Sequence, residues 1–502
     1  MAGAAAIALC FSGGGAAQLQ MAPSGPPPTE AEIAASPAAR RLKEAIAAIG
    51  QGDTAIRAFA DANIVPQQAP AGEPGGLAAP PTPLHILMNG RYRSGGYTFL
   101  DFTEVTSTEA TARVRNNLTL DVSGLGVEVE GEAPHRVVSV AAASVSQPPP
   151  DPAPSDDQER VREISTFVKR LADADVFSGV VLIARDGKPI FQQAYGYADR
   201  ERRIPHRLDT RFRLASLNKI FTSVAIGRLV EQGKLSYDDP LSKFLPHFPD
   251  AESAKKIRIK HLLSHTSGLG SYFNPGFFGN IEKMVDVQSV MAVLGREPPE
   301  FEPGTDWRYS NIGFHLLGRI IEIASGEDYF DYMDQTMFKP FGLKDTGFPN
   351  YDRAGPEIAL PYEVRLGEGD KLELAVPPVR VRRGGPAGDG ASTGPDLLRF
   401  ANALRTGKVV EPPTLQLLST AKPELNSPRY GYGMGVDGRM SNRDIVGHGG
   451  DFAGTCTELG MLRDTPLPYT VVVLANSPMT TCHSIVRKIY YSFAPAFAQA
   501  DR

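Results

Sequence analysis

Residues Gln147-Pro148-Pro149-Pro150-Asp151-Pro152-Ala153-Pro154 constrain the fold more than any other stretch. Proline fixes φ and has no N–H to donate, so a run this dense joins neither a helix nor the middle of a sheet. It reads as a stiff spacer over 147–157 that separates a small unit at 29–146, preceded by a leader at 1–28, from a long unit at 158–502. A second cluster, Pro66 to Pro83, reads as a loop inside the small unit, and together these stretches give addresses to much of the excess in 50 glycines and 42 prolines. With 42% hydrophobic and 22% charged residues, disorder throughout is excluded. A net charge of −5 argues against nucleic acid as a partner. No apolar run approaches the ~18 residues of a membrane helix.

The first charged residue is Glu30. Before it, Ala2 to Phe11 is apolar and Ser12 to Gln18 is small, which is the pattern of a secretory leader without its basic start; an Ala/Gly-rich tail is the alternative. The leader reading makes this an exported bacterial protein, periplasmic or secreted. Cys10 follows Leu9, too large for the slot before a lipidated cysteine. Loss of Cys10 with the leader leaves Cys456 and Cys482, either a disulfide or two buried thiols.

In the small unit, apolar spacing predicts two helices over Ala38 to Ala62 joined at Gly50-Gln51-Gly52-Asp53. Strands are predicted at Tyr97 to Val105, Thr111 to Val122 and Arg136 to Val140. This order is similar to the cystatin-like or NTF2-like accessory domains found ahead of exported bacterial hydrolases, which implies a structural or substrate-gating role.

The long unit opens with a helix at Val161 to Ala172 and a hairpin, Ser178 to Ala184 and Pro189 to Tyr197, turning at Asp186-Gly187-Lys188. From Ser216 a helix is predicted with apolar residues almost all round, so it is buried. Ser216 and Lys219 share its first turn. A serine hydroxyl needs a neighbouring base, and a desolvated lysine has its pKa lowered enough to serve. Ser253/Lys256 and Ser419/Lys422 repeat the spacing, but neither opens an apolar helix. Tyr309-Ser310-Asn311 precedes a second apolar helix, Ile312 to Ala324; Tyr272-Phe273-Asn274 also fits the pattern but sits in an aromatic loop. His448-Gly449-Gly450-Asp451 lies on a glycine-bearing strand edge where a backbone N–H can help bind an oxyanion.

Taken in this order, the three elements resemble the serine β-lactamase and penicillin-binding-protein superfamily, especially its class C-like branch of β-lactamases, family VIII esterases and D-amino-acid peptidases. The segments Ile259 to Leu269 and Ala391-Ser392-Thr393 before Asp396 add to the likeness. The resemblance implies Ser216 as the acylated nucleophile, Lys219 as its proton partner, Tyr309 as the deacylation base and Asn311 as a substrate-positioning group. The backbone N–H groups of Ser216 and Asp451 would form the oxyanion hole. Relatives that take β-lactams or D-alanyl peptides carry Lys-Thr-Gly where this chain has His448-Gly449-Gly450. A neutral imidazole holds a carboxylate poorly, so the expected substrate is a small ester, amide or peptide rather than a β-lactam. The expected fold is α/β (α+β), an antiparallel sheet flanked by helices. Its strands are Ser178 to Ala184, Pro189 to Tyr197, Tyr430 to Val436, Asp444 to His448, Gly454 to Leu462 and Tyr469 to Ala475, closed by a helix at Met479 to Phe493.

Three competing readings remain. Gly390-Ala391-Ser392-Thr393-Gly394 matches a nucleophile elbow but follows a charged, broken stretch, and Thr393 with Asp396 reads better as a capping box. His261 and His265 have metal-ligand spacing without a third ligand, so no metal or other cofactor is expected. A non-catalytic penicilloyl-binding sensor would keep the fold without turnover. Trp307 and the aromatic residues Tyr272, Phe273, Phe277 and Phe278 are candidates for lining the acyl pocket.

Overall fold

Serine, threonine and proline set the helix starts of the N-terminal unit in the computed structural model. Thr29 caps α1 (Glu30–Ala35), and Ser36 caps α2 (Pro37–Gln51), whose leading proline occupies the position where a missing N–H costs nothing. Gly52, at φ +108°, separates α2 from α3 (Asp53–Asn63). The structure describes residues 27–66, 82–143, 145, 156–270, 275–292, 298–367, 372–377, 381–436, 445–462, 469–477 and 479–493. The leader up to residue 26, most of both proline clusters and Tyr272-Phe273-Asn274 lie outside them, as does the side chain of Phe278.

A helix that the sequence reading did not anticipate, α4 (Pro83–Ser94), follows; His85, Asn89, Arg91 and Arg93 interrupt its apolar stripe. Strands β1 (Tyr97–Val105), β2 (Glu109–Asn116), β3 (Val122–Val129) and β4 (Val137–Ala143) form an antiparallel meander in chain order. The single strand expected over Thr111 to Val122 is therefore two. The Asn116 side chain accepts from the N–H groups of Leu118 and Thr119, both at 2.9 Å, and turns the chain there. Leu42, Ile46 and Ile49 of α2 pack with Val114 and Val127 in the core of this unit.

Asp156 caps α5 (Asp157–Asp173), which leads into β5 (Gly179–Arg185) and β6 (Lys188–Tyr195). The buried helices α6 (Lys219–Glu231), α7 (Asn311–Ser325) and α8 (Gly394–Arg405) follow, then β7 (Gly435–Val436), β8 (Ile445–Phe452), β9 (Thr455–Leu462), β10 (Tyr469–Ala475) and α9 (Met479–Phe493). The sheet order is β7-β8-β9-β10-β5-β6, antiparallel at every step, so the last strand of the chain closes against the first of this unit. Both central strands are apolar on both faces. Val180, Leu182, Val472 and Leu474 face the side of α6 and α8, whereas Val181, Ile183, Val471 and Val473 face α5 and α9. Of the strand expected over Tyr430 to Val436, only the last two residues join the sheet; Gly433 at φ +82° turns the chain against Ser223, and Tyr430 bridges back to Gly435.

The disulfide reading of the cysteines describes this structure: Cys456 of β9 is joined to Cys482 of α9, with Cα atoms 6.3 Å apart. The N-terminal unit rests on the same helix. Ser484 donates to Asp121 at 2.7 Å, Arg487 pairs with that carboxylate, and Tyr92 donates to the Asp175 carbonyl at 2.9 Å.

Candidate active site

Ser216 sits in a 3-10 turn, Ala215–Asn218, and the α-helix begins only at Lys219, not at the serine as expected. Ala215 takes φ +46°, a conformation unfavourable for a side chain, and Asn218 Nδ2 donates to the Gly385 carbonyl at 2.9 Å to hold the turn tight. The buried α6 behind it carries Lys219 into the protein with no solvent exposure. Its Nζ lies 3.1 Å from Ser216 Oγ and donates to Asn311 Oδ1 at 2.7 Å and the Ala387 carbonyl at 2.5 Å. Burial holds the Lys219 pKa well below the ordinary lysine range, with Asp389 pulling it partly back.

Tyr309 lies 4.8 Å from Lys219 Nζ, measured to its ring centre, with its hydroxyl buried. Burial raises its pKa, an effect that the nearby Ser216 hydroxyl partly offsets. His265 fixes this segment, since its Nδ1 accepts from the Ser310 N–H at 3.0 Å and its ring lies 4.3 Å from that of Tyr309. Ser310 caps α7 by accepting from Gly313, which leaves Asn311 as its first residue, turned toward the lysine.

His448 of β8 is buried, its ring centre 6.3 Å from that of Tyr309. Burial, then the neighbouring Lys219, pushes its pKa down to about 3, so it is neutral over the working range of most enzymes. β7 pairs with Gly447 and Val446, so the edge of β8 from His448 onward is left to face the Ser216 turn. A Cβ on Gly450 would stand 2.2 Å from the Leu214 carbonyl oxygen and 2.9 Å from the Leu217 nitrogen. Glycine here admits the Ser216 turn itself. Gly450→Ala is expected to cost about 1–3 kcal/mol by overpacking, seen as a lower Tm, and to cut turnover with it. Asp451 lines the pocket, its Oδ2 3.1 Å from His483 Nε2.

A family profile described as Beta-lactamase matches residues 164–484. The chain belongs to the beta-lactamase family. Penicillin-binding protein 4* of Bacillus subtilis (strain 168) is 32% identical over 341 residues, 64% of this chain and 73% of that protein. Esterase EstB of Burkholderia gladioli is 32% identical over 283 residues, covering 50% and 71%. The crystal structure of a penicillin-binding protein from Bacillus halodurans superposes with a TM-score of 0.56 at 27% identity, over 66% of this chain and 99% of that one.

In this beta-lactamase family chain, Ser392 of the elbow-like segment is fully buried and hydrogen-bonds Thr346 at 2.8 Å, so its hydroxyl meets no substrate. Thr393 caps α8 as expected, accepting from the Asp396 N–H at 3.3 Å. The reciprocal bond of a capping box is replaced, because the Asp396 carboxylate is taken by Asp345 N at 2.8 Å and Thr346 Oγ1 at 2.9 Å. His261 and His265 both spend Nδ1 on backbone N–H groups, of Arg258 and Ser310. Among the described residues, the one group of three side chains with metal-ligand geometry is Asp451, Cys456 and His483, and its cysteine is committed to the disulfide.

The sequence reading missed the segment Gly384 to Gly390, which wraps the Ser216 turn. Ala387 accepts from Lys219, the Asp389 N–H donates to the Ala215 carbonyl at 3.0 Å, and the Gly390 carbonyl accepts from Leu214 at 2.8 Å. Its signal was the density of glycine, which allows backbone to meet backbone. Arg213 and Asp389, both buried and 3.9 Å apart, tie the segment to the strand before Ser216. Phe277 does line the pocket, whereas Trp307 packs edge-on against His265 at 5.9 Å instead.

Proposed function

We propose that this chain is an exported bacterial serine hydrolase that works through an acyl-enzyme on small esters or amides. The contact of Lys219 Nζ with Ser216 Oγ at 3.1 Å, in a pocket shared with Tyr309 and Asn311, carries the reading. Neutral Lys219 takes the Ser216 proton as Oγ attacks the substrate carbonyl. The N–H groups of Ser216 and Asp451 stabilise the oxyanion, and collapse expels the alcohol or amine with the proton that Lys219 returns. Burial keeps Tyr309 a neutral phenol at rest, which suits a relay: it hands its proton to Lys219 as it takes one from the deacylating water. Asn311 Oδ1 is occupied by Lys219, which leaves its Nδ2 for the substrate. The N-terminal unit serves as an accessory body docked on α9 through Asp121. The leader composition supports export.

Esters and amides are favoured over β-lactams because His448 is neutral and buried. The likeness to esterase EstB points the same way, and that to penicillin-binding protein 4* supports the β-lactam or D-alanyl peptide alternative. One preparation assayed with short 4-nitrophenyl esters, nitrocefin and D-alanyl peptides separates these. Ester kcat/KM is expected to be highest, and nitrocefin turnover above ester turnover overturns the preference. A fluorescent penicillin should label Ser216 and then decay, more slowly in Tyr309→Phe; a permanent adduct with no turnover of any substrate makes the protein a sensor.

A further inference from the structure

The pocket at Ser216 has apolar walls, including Phe277, Met284, Val290, Val381 and Phe452. Three carboxylates also line it; one oxygen of each is engaged elsewhere, while Oδ1 of Asp389 and of Asp451 is buried without a hydrogen-bond partner among the described residues. Asp286 caps the short helix Val287–Met291, accepting from Ser289 N at 2.7 Å; Asp389 is 3.9 Å from Arg213; Asp451 is 3.1 Å from His483. Among the described lining residues, Arg383 holds the one full positive charge, since His315 is pushed down by burial to about 3.

Arg383 is half-buried and held in place. Its Nε donates to the Phe348 carbonyl at 2.9 Å, and its guanidinium carbon lies 3.6 Å from the centre of the Phe330 ring. No carboxylate among the described residues lies within ion-pair distance of it. The acids whose field reaches it are Asp328, Asp286 and Asp331; Asp328 and Asp286 are spent on capping helices. Burial lowers its pKa, the sign of a charge stripped of water without a partner. A half-buried, immobilised and unpaired guanidinium is costly in the empty pocket, and a bidentate anion recovers that cost.

We infer that Arg383 binds a carboxylate on the acyl portion of the substrate, making the preferred substrates esters or amides of short dicarboxylic or otherwise anionic acids. The acyl portion is the fitting one because it stays on Ser216 in the walled pocket while the leaving group escapes to solvent. His448 is not among the lining residues, so Arg383 does not restore what a lysine at 448 would supply. The inference rests on the acyl-enzyme reading at Ser216.

The test compares mono-(4-nitrophenyl) adipate with 4-nitrophenyl hexanoate, matched in acyl length, on wild type, Arg383→Gln, Arg383→Lys and Ser216→Ala. Wild type should favour the adipate by at least tenfold in kcat/KM. Arg383→Gln should lose roughly 10- to 100-fold on the adipate and little on the hexanoate, mostly through KM, with part of the preference kept by Arg383→Lys. Equal turnover of both esters by wild type, or an equal loss on both in Arg383→Gln, overturns the assignment, since a purely structural role moves both together. Hydrolysis of both by Ser216→Ala at the wild-type rate instead overturns the underlying acyl-enzyme reading.

Discussion

Ser216→Ala is expected to lower ester turnover by roughly ten-thousand-fold or more while the protein stays folded. Ser216 is partly buried and lines the pocket, and removing its hydroxyl leaves Lys219 Nζ with two other acceptors, Asn311 and Ala387. The buried Tyr309 hydroxyl loses the Ser216 hydroxyl as its polar neighbour, a loss small enough that the Tm should stay within a few degrees of wild type. Ser392→Ala supplies the contrast. It deletes the hydrogen bond to Thr346, whose hydroxyl still donates to Asp396 at 2.9 Å, and a long contact to the Thr393 carbonyl at 3.4 Å, so the expected cost is about 1 kcal/mol of stability with turnover nearly intact. Measured kcat/KM and Tm for both mutants decide the matter, and a dead Ser392→Ala beside an active Ser216→Ala would overturn the assignment of the nucleophile.

Lys219→Met should cost turnover about 100- to 10,000-fold, the range for loss of a positioned proton acceptor. The pH profile carries more information. Burial lowers the Lys219 pKa, and the lysine serves as a base only when neutral, so wild-type kcat/KM should fall as pH drops through that depressed value. His448, already neutral down to about 3, contributes nothing to this limb, and His448→Gln should leave its position unchanged. Stability follows the same linkage. Below the unfolded lysine value of about 10.4 the unfolded chain binds a proton that the folded protein resists, so Lys219 weakens the fold at neutral pH, and the penalty fades as pH rises toward that value. The Tm of wild type relative to Lys219→Met should therefore climb between neutral and alkaline pH. A difference that is flat with pH would mean that Lys219 is protonated in the folded protein, and the base role would fall with it.

The readable parts of the fold were those decided by local pattern. The hairpin turn at Asp186-Gly187, the stop of α7 at Gly326 and the limits of α9 follow from turn residues and from 3.6-residue or two-residue periodicity. The failures have physical causes too. α4 was lost because four polar residues break its stripe, and β2 and β3 were fused because the turn at Asn116 depends on a side chain bonding its own backbone.

Ser216, Lys219, Tyr309 and Asn311 stood out in the sequence as candidates because spacing at the first turn of a buried helix limits what a serine and a lysine can do there. Their convergence did not, since Lys219 and Asn311 meet across 92 residues and Lys219 and Ala387 across 168. The sequence by itself determined which groups can do chemistry, because nucleophile, base and amide are properties of side chains in short motifs. The tertiary structure alone decided their electrical state and surroundings, including the dry setting of Lys219, the neutral His448 and the unpaired Arg383. Desolvation is set by what the rest of the chain packs around a group, and no local pattern records it.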